Sequence, residues 1–149
     1  MRVLGVDLGH KRIGLAVSDE LGITAQGLPT LTCARGGVDF AAFDRLIAEW
    51  GVGEVVVGFP KKMDGTVGEE ALKAQRFAEE LQERCGVRTV LWDERLTSRE
   101  AERLLVQADL RRARRRQVRD QVAAVLILQG YLDRRRTQEA AVSAVKEIG

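Results

Sequence analysis

The feature that most restricts the fold of this chain is the segment EVVVGF at residues 54–59. A short, almost continuously apolar run rich in β-branched residues is typical of a strand buried on both faces, as in the centre of a parallel sheet. Such a strand needs a covering layer on each side, and helices provide that layer in α/β proteins. The segment therefore predicts a sheet with helices packed on its faces.

The elements around this strand extend the sheet and supply the helices. Residues 2–8 (RVLGVDL) and 12–18 (RIGLAVS) are apolar runs joined by a short turn, which is the pattern of an antiparallel hairpin. The other predicted elements are, in chain order, a third strand within residues 22–32, a helix over 40–50, a helix over 71–81 that ends near Gly86, a strand over 88–92, a helix over 98–107 and a buried helix over 122–132. We therefore expect an α/β fold with a mixed sheet flanked by helices.

The length fits one domain and no more. A chain of 149 residues with 45% apolar residues buries about 70% of its unfolded surface and needs neither a structural metal nor a disulfide to fold. Cys33 and Cys85 lie far apart without metal-binding spacing, so we expect two free thiols in a cytoplasmic protein. The N-terminus meets charged residues too early for a signal peptide or a membrane span. We expect a single domain at residues 1–136 and a polar tail at 137–149 that frays.

Acidic residues stand at three places where the local pattern favours apolar or neutral side chains. Asp7 lies within the first strand, Glu94 and its neighbour Asp93 directly follow a late strand, and Asp120 begins the buried helix. Each has an ordinary structural explanation: a turn, a loop amide or the dipole of a helix N-terminus. The three elements can nevertheless meet at one edge of the sheet, where the acids would lie together.

If these acids lie close together, a cation is needed to balance their negative charges. Buried carboxylates without partners take up protons, and several of them together repel one another. Oxygen ligands suit Mg²⁺ or Mn²⁺, and they leave coordination positions for water and phosphate oxygens. The chain has one histidine, His10, which argues against a zinc or iron site built from imidazoles. We expect a site for one or two Mg²⁺ or Mn²⁺ ions.

The net charge of +2 is small, but the cations are unevenly distributed. Residues 111–119 read RRARRRQVR and lead directly into Asp120. A run of this kind is often ordinary solvated surface, yet beside an acidic site it would concentrate a polyanion. Aromatic residues are few and at core spacing, so stacking on bases is not expected. Phosphate contacts would then dominate binding, with little reading of the base sequence.

Four longer segments together resemble the YqgF/RuvX family, whose members are related to RuvC-type Holliday-junction resolvases in the RNase H-like superfamily. These segments are GVDLGHKRIGLAVSD, VVGFPKKMDGTVG, WDERLTSREAE and RDQVAAVLILQGYLD. They occur in family order and cover residues 2–133 without a large gap. The resemblance implies an RNase H-like fold with a five-stranded mixed sheet, in which the first three strands are antiparallel and the others parallel. It also implies a metal-dependent nuclease, a hydrolase acting on ester bonds.

Matched residue by residue, the family's catalytic and metal-binding acids fall on Asp7, Glu94 and Asp120. Asp93 is an alternative ligand to its neighbour Glu94, and periodicity does not decide between them. Candidate nucleic-acid contacts are Lys11, Arg12, Lys62, Arg95, Arg111, Arg112, Arg114, Arg115, Arg116 and Arg119. Gly5 and Gly9 flank Asp7, where they either let a phosphate approach the strand or serve the turn.

The resemblance further implies processing of the 5′ end of the small-subunit (pre-16S) ribosomal RNA precursor, and thus a role in ribosome biogenesis and association with the ribosome. Two alternatives stay open, and a third does not fit. Holliday-junction resolution on DNA would require a homodimer, and the sequence does not distinguish monomer from dimer. A non-catalytic RNA or ribosome assembly factor would keep the fold for binding alone. An actin-like ATPase would need a second, related domain, for which the chain is too short.

Overall fold

The computed structural model describes residues 1–33, 37–60, 62, 64–94 and 112–148, and within the final helix it describes the side chains of residues 121–142. Its strands form one five-stranded sheet in the order β3-β2-β1-β4-β5. The strands are β1 (Arg2–Leu8), β2 (Arg12–Ser18), β3 (Ala25–Thr32), β4 (Val52–Phe59) and β5 (Arg88–Asp93). β1, β2 and β3 pair antiparallel, whereas β1, β4 and β5 pair parallel. This arrangement confirms the predicted mixed sheet.

Two helices cover one face of the sheet. α1 (Phe40–Trp50) begins where the Asp39 side chain accepts hydrogen bonds from the first-turn amides of Ala41 and Ala42, which is the usual N-cap interaction. It ends at Gly51 in the left-handed conformation, with φ of 64°. α2 (Glu69–Cys85) packs on β4 and β5 and ends in the same way at Gly86. The core on this face includes Leu4, Val6, Phe43, Val55, Val57, Phe77 and Leu81.

The third helix, α3 (Arg112–Ile148), covers the opposite face of the sheet. Its residues Ala124, Ile127, Leu128 and Leu132 form a second core with Val3, Ala16, Val56 and Trp92. The alternation of side chains along β1 explains why there are two cores. Even-numbered residues of β1 point to α1 and α2, and odd-numbered ones point to α3. Asp7 belongs to the odd set and therefore lies on the α3 face, as the pattern predicts.

Side-chain amides fix α3 on the β3 side of the sheet. Gln121 Nε2 donates to the Leu28 carbonyl at 2.9 Å, and Gln129 Oε1 accepts from the Ala25 amide at 3.0 Å. Gln129 Nε2 also donates to the Ile23 carbonyl at 2.8 Å. These bonds satisfy backbone groups along the outer strand, so they hold the helix at one position along its axis.

α3 is much longer than the predicted helix over residues 122–132. It includes most of the arginine run and also residues 137–148, which were predicted as a fraying tail. Arg, Gln, Ala and Glu are good helix formers, but they leave no apolar periodicity when solvent surrounds the helix, so pattern alone missed the extensions. The predicted helix over 98–107 lies outside the described residues. The domain boundary at residue 136 stays a prediction.

Both cysteines are free and partly buried, as predicted. Burial raises the pKa of the Cys85 thiol to about 11, so this sulfur is an unreactive core group at neutral pH. Among the described helices, none combines the length and apolar character needed to span a membrane.

Candidate active site

The candidate site lies at the edge of the sheet where the parallel strands end. β1, β4 and β5 run in the same direction, so their carboxyl ends meet at one edge. Asp7 is the penultimate residue of β1, and Glu94 directly follows β5. Open α/β sheets place ligand contacts at this edge. The fold thus brings two of the predicted acids, distant in sequence, to the same place.

Glu94 reaches across β4 toward Asp7. Its Oε1 occupies the space directly above Gly58, where even a β-carbon would overlap it. The same β-carbon would stand 2.6 Å from Ile127 Cδ1 on α3. Gly58 is therefore required because the Glu94 side chain and α3 both come close to the backbone of β4.

The carboxyl groups of Asp7 and Glu94 are hydrogen-bonded to each other, which requires a proton on the pair. The pKa of Glu94 is raised from 4.5 to about 8, most of all by burial and then by the negative charge of Asp7 and this hydrogen bond. Glu70 and Asp93 add smaller repulsions. Among the described residues, the charges that act on Glu94 are negative, so they favour its protonated form or the binding of a cation.

The third predicted acid lies on α3. Ala124 and Leu128 of this helix lie directly over Gly5 of β1: a β-carbon at Gly5 would be 3.1 Å from the Ala124 carbonyl and 2.8 Å from Leu128 Cβ. Residue 120 is one helical turn before Ala124, in the direction of the helix N-terminus. The side chain of Asp120 itself lies outside the described residues.

Among the described residues there is no group of three or more His, Cys, Asp or Glu side chains arranged to hold a metal ion. Asp7 and Glu94 form a pair, and Asp93 and Glu70 are close enough to influence Glu94 electrostatically. Asp93 also lines a cavity of about 410 Å³ together with Trp92, Tyr131 and Arg134. Glu94 is thus in direct contact with Asp7.

The predicted nucleic-acid contacts fall into three groups according to how much of each residue the structure describes. Lys11, Arg12 and Lys62 are described, and all three lie near the carboxyl edge of the sheet. Lys11 is in the β1–β2 turn, Arg12 begins β2, and Lys62 is in the loop after β4. Lys62 is exposed, and its amide donates to the Thr66 carbonyl at 3.0 Å, which closes the loop. Arg95 and Arg111 lie outside the described residues. Of Arg112, Arg114, Arg115, Arg116 and Arg119, the helical backbone is described but the side chains are not.

The two glycines that flank Asp7 serve packing and the turn. The space above Gly5 is filled by α3, so the idea that it admits a phosphate is wrong. Gly9 donates its amide to the Arg12 carbonyl at 3.0 Å, and a β-carbon there would meet the same oxygen at 2.5 Å. The turn interpretation is therefore the correct one for Gly9.

Sequence reasoning did not single out Glu70. This residue lies in the first turn of α2, pairs with His10 Nε2 through its Oε1 at 2.9 Å, and its charge raises the pKa of Glu94. In the sequence it is one of two acids at a helix N-terminus, where acids are common for reasons of helix stability alone. Only the structure reveals that it lies close to the acidic pair.

The sequence profile of the RuvX family, described as Holliday junction resolvase, matches residues 1–134. A relative from Shouchella clausii, named "Putative pre-16S rRNA nuclease", is 52% identical over 136 residues, covering 90% of this chain and 96% of the relative. A relative of the same name from Geobacillus kaustophilus is 51% identical over 138 residues, covering 91% of this chain and all of the relative.

Solved structures with similar folds include two resolvases. RuvC from Thermus thermophilus in complex with Holliday junction substrate superposes with a TM-score of 0.55 at 16% identity, covering 85% of this chain and 91% of that one. The fowlpox virus resolvase with Holliday junction DNA gives 0.53 at 13% identity, covering 89% and 97%. At such identities the likeness establishes the fold, which agrees with the predicted RNase H-like architecture. The profile match and the closely related sequences show that this chain belongs to the RuvX family.

Proposed function

We propose that this protein is a nuclease that hydrolyses phosphodiester bonds in the precursor of 16S ribosomal RNA, with Asp7, Glu94 and Asp120 binding one or two Mg²⁺ or Mn²⁺ ions. The observation that supports it most directly is the carboxyl pair of Asp7 and Glu94 at the carboxyl edge of the sheet. Membership of the RuvX family and the nuclease names of relatives about half identical in sequence support the activity and the RNA substrate.

The donor set fits a hard divalent cation. Asp7 and Glu94 provide carboxylate oxygens in a partly buried site whose described acids repel one another, which favours protonation or a bound cation. A divalent ion bound there would lower the pKa of a water molecule and balance the charge of the reacting phosphodiester. Asp7 and Glu94 would each hold such an ion through deprotonated carboxylates. Binding of the ion would therefore release the proton that the pair shares.

The neighbouring residues would position these ligands. Gly58 leaves room for the Glu94 carboxyl over β4, and Ile127 limits its movement from the α3 side. Glu94 contacts Asp7, so we assign the ligand role to Glu94 and a supporting electrostatic role to Asp93. Asp120 would complete the set from α3, one turn before the residues that pack on Gly5.

The substrate would be held through its phosphates. Lys11, Arg12 and Lys62 lie at the same edge of the sheet as the acidic pair, and the arginine run precedes Asp120 in the chain. Arg95, beside Glu94, would add a further contact. Such binding provides affinity with little selection among bases, so additional determinants, such as association with the ribosome, would select the cleavage position. A pre-16S substrate also implies that the protein works in the cytoplasm.

The proposal is tested by incubating single- and double-stranded RNA and DNA, and a pre-16S transcript, with the protein in Mg²⁺, Mn²⁺ or EDTA. We expect metal-dependent cleavage that is lost in Asp7→Asn and Glu94→Gln. Glu69→Gln serves as a matched control, because it removes one exposed acid next to Glu70 without touching the pair. Cleavage that persists in EDTA and in Asp7→Asn would contradict the mechanism. Absence of cleavage together with normal RNA binding and normal function of Asp7→Asn in cells would instead identify a non-catalytic assembly factor.

Holliday-junction resolution is the second candidate, because the matching family profile is described by that activity. A resolvase makes paired, symmetric nicks and therefore needs two copies of the site. A four-way DNA junction is added to the same assay, and the oligomeric state is measured by analytical ultracentrifugation. Symmetric nicks by a dimer, with no cleavage of the pre-16S transcript, would favour resolution over RNA processing.

A further inference from the structure

An open cleft of about 750 Å³ lies on the side of the sheet opposite α3. It is bounded by the β1–β2 turn, the start of α1 and one side of α2. Its apolar surface is formed by Leu8, Val38, Phe40 and Phe77. Phe77 is almost completely buried, and the rings of Phe40 and Phe77 are 6.0 Å apart, so this surface is a preformed part of the core. The cleft has room for a small organic group above a rigid apolar base.

Cations dominate the rim of the cleft. Four of them, Lys11, Lys73, Arg76 and Arg84, face two carboxylates, Glu70 and Glu80. Both carboxylates are engaged: Glu80 pairs with Arg84 at 3.0 Å, and Glu70 pairs with His10. In the part of the chain that the structure describes, Lys11, Lys73 and Arg76 have no ion-pair partner and are exposed. Three cations are therefore available to an anionic ligand.

The cleft is continuous with the proposed catalytic edge. Leu8 lines it and directly follows Asp7 in β1, with its side chain on the other face of the sheet. The paired His10 and Glu70 also line it, and Glu70 is close enough to raise the pKa of Glu94. A chain of phosphates could therefore pass from the acidic pair, around the end of β1, to Lys11, Lys73 and Arg76.

We propose that this cleft binds an unpaired nucleotide of the substrate strand, next to the phosphodiester that is cleaved. The base lies against the apolar surface of Leu8 and Val38, next to the Phe40 ring, which the Arg84 guanidinium covers at 4.7 Å. The adjoining phosphates contact Lys11, Lys73 and Arg76. A base within a duplex is stacked and paired, so it cannot enter the recess without unpairing. The cleft thus confers a preference for single-stranded segments. This inference rests on the proposed nuclease function and specifies its substrate.

Binding is measured in EDTA, which prevents cleavage, by fluorescence anisotropy of a labelled RNA single strand and of the blunt duplex of the same sequence. The variant Lys73→Ala/Arg76→Ala is compared with Arg45→Ala/Arg136→Ala, which removes the same charge from exposed positions outside the cleft. We expect the cleft variant to bind the single strand about 10-fold more weakly, with a salt slope smaller by about 1.4 for two lost phosphate contacts. Duplex binding should change no more than it does in the control.

The base contact has its own test. A strand of the same length that is abasic at every position keeps its phosphates, so weaker binding of this strand by the wild-type protein supports a bound base. Equal binding of the abasic and normal strands, or equal losses in the cleft variant and the control, would overturn the proposal. The cleavage assay distinguishes failure of the nuclease proposal from failure of the cleft proposal. If the wild type cleaves RNA but the cleft variant binds single strands normally, only the present inference fails.

Discussion

Two glutamates at opposite ends of the sheet show how the same side chain serves different purposes. Glu54, near the start of β4, is 4% exposed. It accepts a hydrogen bond from the Tyr131 hydroxyl and lies 3.4 Å from Arg88 Nε and 3.7 Å from Arg135 Nη1. Glu94, after β5, is surrounded instead by Asp7, Asp93 and Glu70. Glu54 is thus compensated by a tyrosine and two arginines, whereas the described charges that act on Glu94 are those of other acids.

The side chains that neighbour a buried acid, more than its burial, distinguish an acid that stabilises the fold from one that acts in function. Compensating cations stabilise the ionised form of a buried carboxylate, while like charges favour its protonation or the binding of a cation. Glu54 should therefore contribute to folding and Glu94 to metal binding. We expect the role of Glu54 in folding and that of Glu94 in metal binding to be separable by mutation, with effects that decrease in the order given below.

The largest effect is expected on catalysis. Glu94→Gln should reduce kcat by at least about 100-fold, because it removes a ligand oxygen and a negative charge from the proposed metal site. The melting temperature without metal should stay the same or rise, since the substitution relieves repulsion with Asp7. Asp93→Asn is the matched control and should lose much less activity. If Glu94→Gln lost both activity and stability, Glu94 would contribute to folding as Glu54 does, and the proposed difference between the two glutamates would be wrong.

At the other end of the sheet, Glu54→Ala should lower the free energy of unfolding by about 2 kcal/mol. The substitution leaves the partly buried Tyr131 hydroxyl without its acceptor and removes two ion pairs. Cleavage measured well below the melting temperature should be normal. Urea unfolding followed by circular dichroism gives the free energy, and an unchanged midpoint would show that the cluster does not stabilise the fold.

Gly58→Ala and Gly5→Ala form a second matched pair. Each adds a methyl group on the α3 face of the sheet, and each should destabilise the protein by about 1–3 kcal/mol through overpacking. The new β-carbon overlaps Glu94 Oε1 at residue 58 but Leu128 at residue 5. Only Gly58→Ala should weaken Mn²⁺ binding, measured by isothermal titration calorimetry. Equal weakening in both variants would show that Gly58 has no special relation to Glu94.

The smallest effect concerns pH. The pKa of Glu94 is raised from 4.5 to about 8 in the folded protein, so folding favours its protonated form. Its contribution to stability is complete below pH 4.5 and is lost as pH rises through 8. Between pH 4.5 and 8, the free energy of unfolding of the metal-free wild type should fall by about 1 kcal/mol more than that of Glu94→Gln. The difference stays this small because solvent reaches part of the site and weakens the electrostatic interactions. Urea titrations in EDTA test this, and identical pH dependence would contradict it.

The sequence was most informative where periodicity was strong. β1 and β2 have the predicted bounds, and the faces of β1 follow from simple alternation, including the placement of Asp7 toward α3. The contact between Glu94 and Asp7 is visible only in the structure, since adjacent residues at a strand end differ only in direction. Which of Glu94 and Asp93 binds the metal stays a prediction. The family motifs identified the acids that the fold places at the sheet edge, but their metal-binding role stays a prediction.

Features that depend on distant contacts could not be predicted. Glu54 lies inside the apolar run that predicted β4. No neighbouring residue in the sequence indicates that Arg88, Tyr131 and Arg135 contact it in the folded protein. The cleft likewise combines a turn, the start of one helix and a face of another. Such sites are defined by the meeting of separate elements, and no single stretch of sequence contains their signature.

The glutamine bonds of α3 have a consequence for catalysis. A helix with a smooth apolar surface can slip along a sheet by one turn, about 5.4 Å, and still bury the same kind of side chains. Gln121 and Gln129 prevent this, because each bonds to a particular backbone group of the β3 side. Asp120 directly precedes Gln121 in the chain. The outer strand, which contributes none of the proposed ligands, therefore fixes the axial position of the helix backbone that includes residue 120.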